Sequence, residues 1–433
     1  MKVPWEIADP VDAEIFAEIR RAAIFDCCKW DPQVEDVCTL SPVPLVLTGD
    51  AWAELVTLAE KLARETVAAE TAILQKPRLL KGLGLSWTLR RKLSRSEIRE
   101  LRSRHLSLIR FDFHWTTEGW RISEANTDVP GGFNEASGFT KLIAQIYQKI
   151  VPAGDPTREM ARAISGILPA GGVAALVHAT SFSDDRQVMV YLARHLEKAG
   201  VKPVLAAPDH LQWENNRPFL RADSRLMPLD FIFRFFPAEW LTALPRRCGW
   251  WRLLGSSDVP LCNSGAAIIT QSKRFPLVWD ELSVNLPAWN ALLPRTFDVR
   301  QTDTEIPAES LVFKPAFGRV GDLIKMHGVT SEKEVRKIDR FVRRYPEMWI
   351  AQKRFEAVPM RSPVGDVYPC IGIYTLNARV IGAYGRIARR PLIDHRAQDA
   401  AVLVREPEIC RNQNPLIGTN HHETSRTLQP VGA

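Results

Sequence analysis

No stretch of this 433-residue chain approaches the roughly 18 to 20 consecutive apolar residues that a membrane-spanning helix needs, so no membrane partner is expected. The opening MKVPWEIADPVDAEIF carries early acids and no continuous apolar segment, which excludes a secretory signal and points to the cytoplasm. Cysteine is scarce: seven, odd in number and scattered, with Cys27 and Cys28 adjacent and no Cys-x-x-Cys spacing. That pattern fits a reducing compartment better than a disulfide framework and argues against structural zinc; buried apolar thiols are expected, with a redox-active Cys27–Cys28 pair as the alternative. The Walker A pattern GxxxxGK[ST] is missing, and the unit that begins near Pro152 has no GxGxxG, so neither a P-loop nor a dinucleotide fold is supported. There is no internal repeat.

The balance of what is present is that of a folded protein, with 45% apolar and 25% charged residues. The length calls for two or three packed units. A net charge of +7 suggests an anionic partner. Much of the excess lies between Thr88 and His105, where helical spacing, interleaved acids and a dearth of aromatics favour a solvated helical face over a nucleic-acid surface.

Three units are expected: 1–151, 152–254 and 255–433. In the first, AWAELVTLAEKLARETVAAETAIL has helical spacing without Gly or Pro. A helix from Leu142 to Ile150 is expected after the break at Pro130, Gly131 and Gly132. In the second, GGVAALVHA, DDRQVMVYLARHLEKAG and KPVLAAP read as strand, helix and strand, and LDFIFRFF as another buried strand. In the third, QSKRFPLVWDEL reads as a helix, LVFKPAFGRVGDLIKM as two strands around a glycine loop, and SEKEVRKIDRFVRRY as a helix. WIAQKRF, YPCIGIYTL and ARVIGAYGRIA follow as strands, and the polar tail after Arg405 lacks periodicity.

The chemistry concentrates in RFDFHWTTEGWRISEANTD. Side chains alternate along a strand, so Arg110 and Asp112 share one face of the first run, and Glu124 and Asn126 one face of the second. A short turn at Thr116 to Gly119 would set Asp112 opposite Glu124, with Asn126 one step along. Two carboxylates and an amide oxygen suit a hard cation such as Mg²⁺, which commonly accompanies nucleotide phosphates. A surface hairpin with solvated acids is the competing reading. FKPAFGRVGD adds Gly318 and Gly321, which permit a loop that folds over a ligand, flanked by Lys314 and Arg319, although by itself the segment fits an ordinary hairpin loop better. Lys273, Arg386 and Gln352 are further polar groups in apolar settings.

In order, TLSPVPLVL, RFDFHW…GWRISEANTDVPGG, DDRQVMVYLARHLEKAG, FIFRFFPAEWL, NSGAAIITQSKRFPLVWDEL, LVFKPAFGRVGD, WIAQKRF and IGIYTLNARVIGAYGRIARR resemble the glutathionylspermidine synthase group of ATP-grasp ligases, synthetase part only. The resemblance implies an α/β fold of circularly permuted ATP-grasp order with a preATP-grasp-like domain. It implies ATP and Mg²⁺ as cofactors, with Asp112, Glu124 and Asn126 as metal ligands and Arg110 and Arg319 at the reacting group. Lys273, Lys314, Arg386 and the Gly318–Gly321 loop are implied at the phosphates, and Gln352 beside the adenine. The implied reaction joins a small-molecule or peptide carboxylate to an amine, a polyamine among the candidates, through an acyl phosphate. The group carries small hydroxyl residues after the asparagine where this chain has Val129, Gly131 and Gly132, which puts glutathione in question while leaving backbone amides to hold a carboxylate. Asp184 and Asp185 fall where the group has an acidic pair near the substrate. A nucleotide-binding regulatory protein without ligation is the alternative.

Overall fold

The computed structural model describes residues 3–6, 8–30, 33–34, 37–95, 98, 104–222, 225–301, 306–318, 321, 323–363 and 365–405. Arg319, most of the basic 94–104 stretch and the tail after Arg405 lie outside the described residues.

The long apolar-periodic segment forms the helix Gly49–Gln75, whose N-terminus is capped by the Thr48 hydroxyl accepting from the Ala51 amide at 3.3 Å. Leu55, Ala59, Leu62, Thr66, Ala69 and Ile73 recur every three or four residues and are buried, the apolar ones within the largest core cluster. At about 1.5–3 kcal/mol for each fully buried large aliphatic side chain, this face dominates the helix's stability. It packs behind a five-stranded antiparallel sheet that carries the site.

That sheet runs in the order Gln398–Ala400, Arg379–Ala388, Tyr368–Leu376, Leu108–Thr116, Gly119–Asn126. The early hairpin is thus paired edge to edge with the late one, Asp112 opposite Gly372 and Arg110 opposite Tyr374. A second sheet is parallel at its core, with Val173–His178 between Lys202–Ala206 and Phe231–Phe235 and the short Leu261–Cys262 at the far edge. The helix Ser183–Lys198 is the crossover, with Asp184 and Asp185 in its first turn and Lys198 in its last, where the helix dipole favours each sign. A third, antiparallel sheet, ordered Thr296–Asp298, Trp349–Lys353, Leu311–Pro315, Lys325–Met326, holds the glycine loop between its last two strands. A three-stranded meander over Leu211–Pro228 was not anticipated by the sequence reading.

Two local expectations are corrected. The helix expected over Leu142–Ile150 lies earlier, as a π turn at Asn134–Phe139 continued by Thr140–Ala144, and Ile150–Pro152 is a strand. Lys149 takes a left-handed backbone (φ 58°), which ends any helical run before Ile150. QSKRFPLVWDEL is not the expected helix: the α-helical residues Ile268–Gln271 end at its first residue, and Phe275–Glu281 is a 3₁₀ segment, in which Pro276 supplies no amide donor to an earlier turn.

One buried ion pair fastens the parallel sheet to the hairpin's exit. Arg234 donates to Asp128 at 2.5 Å with both side chains fully buried, and its Nε donates to the Asn263 carbonyl at 3.0 Å. The Asn263 amide donates in turn to the carbonyls of Leu108 (2.6 Å) and Thr127 (2.7 Å). These bonds fix the direction in which the chain leaves Asn126 and therefore where Gly131 and Gly132 arrive.

Candidate active site

The expected hairpin register is the one found: Asp112 pairs with Glu124 and Arg110 with Asn126, and a bulge between Asp112 and Phe113 re-aims the strand just past the carboxylate. Arg110 clasps Asp112 bidentately, Nε to Oδ1 at 2.7 Å and Nη2 to Oδ2 at 3.0 Å, and donates from Nη1 to the Gly131 carbonyl at 2.8 Å. Asn126 donates to Asp112 Oδ2 at 3.1 Å. The partner strand makes room: a Cβ on Gly372 would stand 2.7 Å from Arg110 Cδ and 3.0 Å from Asp112 Oδ1. Glycine inside an otherwise apolar strand is the signal by which the sequence marks this position.

Lys273 lies just past the Ile268–Gln271 helix, and its ammonium sits 2.9 Å from Glu124 Oε2 and donates to the Gly318 carbonyl at 2.7 Å. Lys314, buried on its strand, donates to Gln352 Oε1 at 2.8 Å and to the Ser123 carbonyl at 3.1 Å. Gln352 is oriented by its own bond to Thr296 Oγ1 at 2.9 Å. Gly321 has φ +72°, and a Cβ there would lie 2.5 Å from the Ile393 carbonyl, so the glycine loop depends on its glycine to seat against the 391–397 segment. Arg386 reaches the same segment, donating to the Asp394 carbonyl at 2.7 Å.

The charges divide the two facing carboxylates. Burial would raise Glu124, but the Lys273 ammonium, its hydrogen bond, and the nearby Lys314 and Arg110 outweigh it and hold Glu124 down at about 2. At Asp112 burial wins over Arg110, and its carboxyl lies above the ordinary value. Burial pushes Lys314 down to about 8 against the pull of Glu124. Burial, reinforced by Lys314, brings His114 down to about 4, so a neutral imidazole lies beside the lysine, 3.0 Å from Ser123 Oγ.

These groups open onto one cavity of about 470 Å³. Arg110, Asp112, Glu124, Asn126, Gly131, Gly132, Asp184, Asp185, Lys273, Lys314, Gly318, Gly321, Gln352 and Arg386 all line it. Of the candidate site residues, Arg319 alone lies outside the described residues. Sequence reasoning missed Lys29, Glu135, Gln271, Tyr384 and Asp399, which line it as well. Gln271 accepts the amides of Thr127 (2.8 Å) and Asp128 (3.0 Å), and Tyr384 donates to Asp399 at 2.6 Å with its ring under the Arg110 guanidinium.

Among the described residues no three His, Cys, Asp or Glu side chains cluster as metal ligands. The convergent oxygen donors are two carboxylates and an amide, with a cation already against Glu124, a set whose chemistry suits Mg²⁺ shared with phosphate oxygens. Also among the described residues, no helix is long and apolar enough to cross a membrane.

A likeness in fold extends over nearly the whole molecule. The structure of a glutathione synthetase-like effector from Globodera pallida superposes with a TM-score of 0.60, covering 90% of this chain and 97% of that one at 12% identity. A structure from Methylobacillus flagellatus bearing a provisional γ-glutamylcysteine synthetase name covers 78% of this chain and 88% of its own at 14% identity, with a TM-score of 0.38. No curated protein matches the chain. Residues 44–404 match the family described as glutathionylspermidine synthase preATP-grasp, a span that holds the paired hairpins, the parallel sheet and the lysine-bearing sheet with its glycine loop. The ATP-grasp-related α/β architecture and the match over most of its length agree: the chain belongs to the glutathionylspermidine synthase preATP-grasp family.

Proposed function

We propose that the protein is an ATP- and Mg²⁺-dependent ligase that joins a carboxylate to an amine through an acyl phosphate. The observation that carries the reading is the meeting of Asp112, Glu124 and Asn126 with Arg110, Lys273, Lys314 and Arg386 around one cavity. A protein that merely binds a partner has no use for opposed carboxylates ringed by buried cations, whose desolvation costs several kcal/mol each.

Asp112, Glu124 and Asn126 would hold Mg²⁺, which supplies charge neutralisation at the transferred phosphoryl group. Lys273 and Lys314 bind the phosphates, and Gln352, fixed by Thr296, presents its amide to the base. Arg110, rigid against Asp112 and the Gly131 carbonyl, orients the acyl group. The Gly318–Gly321 loop excludes water from the reactive acyl phosphate, with Arg319 its cation at the reacting carboxylate. The Gly131 and Gly132 backbone receives the carboxylate substrate, and Asp184 and Asp185, at the cavity's edge, attract the ammonium form of the amine, a polyamine among the candidates.

Calorimetric titration of ATP, with and without Mg²⁺, into the wild type and Glu124→Gln tests this. Magnesium-dependent binding that Glu124→Gln weakens is expected, followed by phosphate release with a suitable carboxylate and amine pair. Binding that ignores both Mg²⁺ and the substitution would overturn the assignment.

A further inference from the structure

Lys29 stands outside the 44–404 span of the family match, on the short segment that follows the helix Ala13–Phe25, and it lines the cavity. Its side chain is almost wholly buried, and its ammonium lies 2.6 Å from Glu135 and 3.2 Å from Asp399. The backbone around it is fixed at both sides. Asn134 donates to the Cys27 carbonyl at 2.7 Å, and the Trp30 amide donates to Gln187 at 2.6 Å. Such a segment delivers its charge to one place.

What it touches is more telling than its burial. Asp399 has two claimants besides Lys29: Tyr384, which donates to Oδ1 at 2.6 Å, and Arg386, whose Nε is 3.9 Å from the same oxygen, beyond hydrogen-bond reach. Arg386 Nε is buried and donates to nothing among the described residues. A guanidinium donor left idle 3.9 Å from a buried carboxylate is costly, and the lowest-energy response of an isolated pair would be to close the gap. Lys29 removes the incentive, because it neutralises Asp399 from the Oδ2 side while Tyr384 occupies Oδ1.

We propose that Lys29 is a positioning residue, which by holding Asp399 keeps the Arg386 guanidinium available to an anionic group of the ligand. This rests on the ligase reading for the identity of that anion, a nucleotide phosphate. The same contact keeps Tyr384 on Asp399 and hence its ring beneath Arg110, so the N-terminal segment acts on both arginines without touching substrate. Losing Lys29 turns Asp399 toward Arg386 and turns a phosphate-binding group into half of an internal salt bridge.

The test compares Lys29→Met, Lys29→Arg and the double variant Lys29→Met/Asp399→Asn with the wild type. Two readouts are used: the Kd for ATP with Mg²⁺ by calorimetry, and the extent of phenylglyoxal modification of Arg386 in the ligand-free proteins, followed by peptide mass spectrometry. Loss of one charge-assisted phosphate contact predicts ATP binding about tenfold weaker in Lys29→Met, with Lys29→Arg near wild type. The double variant should recover affinity, since the competing carboxylate is gone, a rescue that a merely structural lysine would not give. Arg386 labelling should fall in Lys29→Met and return in the double variant. Unchanged ATP affinity in a folded Lys29→Met, or a double variant no better than the single one, overturns the proposal. If the wild type binds no ATP the ligase reading fails by itself, and the labelling still decides the role of Lys29: a fall reversed by Asp399→Asn supports it, and equal labelling refutes it.

Discussion

The Gly131–Gly132 pair invites an experiment in which two neighbouring substitutions, chemically the same, part company. Replacing each glycine by serine restores the kind of hydroxyl that the related synthases carry after their asparagine. At position 132 the backbone has φ +96°, and a Cβ would stand 3.0 Å from the Tyr374 hydroxyl and 3.2 Å from the Tyr384 ring. Left-handed backbone costs a non-glycine residue about 1–2 kcal/mol. Forcing the buried Tyr374 and the half-buried Tyr384 aside adds about 1–3 kcal/mol, so Gly132→Ser should lose roughly 2–5 kcal/mol of unfolding free energy. At position 131 the φ is not in the left-handed region, and the nearest atom to a new Cβ is the tip of Phe235 at 3.3 Å, a single ring edge that can yield by tenths of an ångström. Gly131→Ser should cost under about 1 kcal/mol. Urea unfolding followed by tryptophan fluorescence measures both. Because Tyr384 lies under Arg110, Gly132→Ser should also impair nucleotide-dependent turnover beyond its effect on stability. Equal midpoints for the two variants would refute the reasoning, since only the backbone angle and the tyrosine contact separate them.

Arg234→Met leaves the fully buried Asp128 without its guanidinium and should destabilise the fold by about 3–5 kcal/mol, read as a lowered urea midpoint; a loss below about 1 kcal/mol would show that the pair is dispensable. Lys314 is held down at about 8, so its ammonium is present below that pH and lost above it. ATP affinity should therefore fall about tenfold between pH 7 and pH 9, and Lys314→Arg should flatten the profile; a slope that survives the substitution would place the titration elsewhere.

Much of the site could be read from the chain because its central part is local. Alternation along two short runs and a turn between them fix which side chains share a face, and the Asp112–Glu124 pairing needs nothing more. Position-by-position resemblance then supplied Lys273, Lys314, Gln352 and Arg386, which converge from strands and turns far apart. Lys29, Glu135 and Asp399 had no such signature. They meet across 106 and 264 to 370 positions of sequence, and a lone lysine after two cysteines looks like any surface cation until its partners are in place. The misplaced helix at Leu142–Ile150 shows the same limit at short range: apolar spacing continued past the point where a left-handed Lys149 turned the chain into a strand. The Leu211–Pro228 meander was missed because its strands, LQWE, RPFLRA and RLMP, hold no apolar run of the kind that marks the equally short Phe231–Phe235, and most of their described side chains are half-buried or exposed.

The edge-to-edge pairing of the two hairpins has a consequence for how the molecule is made. Asp112 waits for Gly372, about 260 residues later, and at ribosomal speeds of about 5–20 residues per second the early hairpin spends tens of seconds with the inner edge of Leu108–Thr116 unpaired. Its backbone donors and acceptors stand open through that interval, flanked by Phe111 and Phe113, which the finished fold buries completely. A nascent chain stalled after Asn126 and before residue 368 presents a sticky strand edge and two opposed carboxylates with no third strand beside them, a natural client for a chaperone and a natural seed for aggregation.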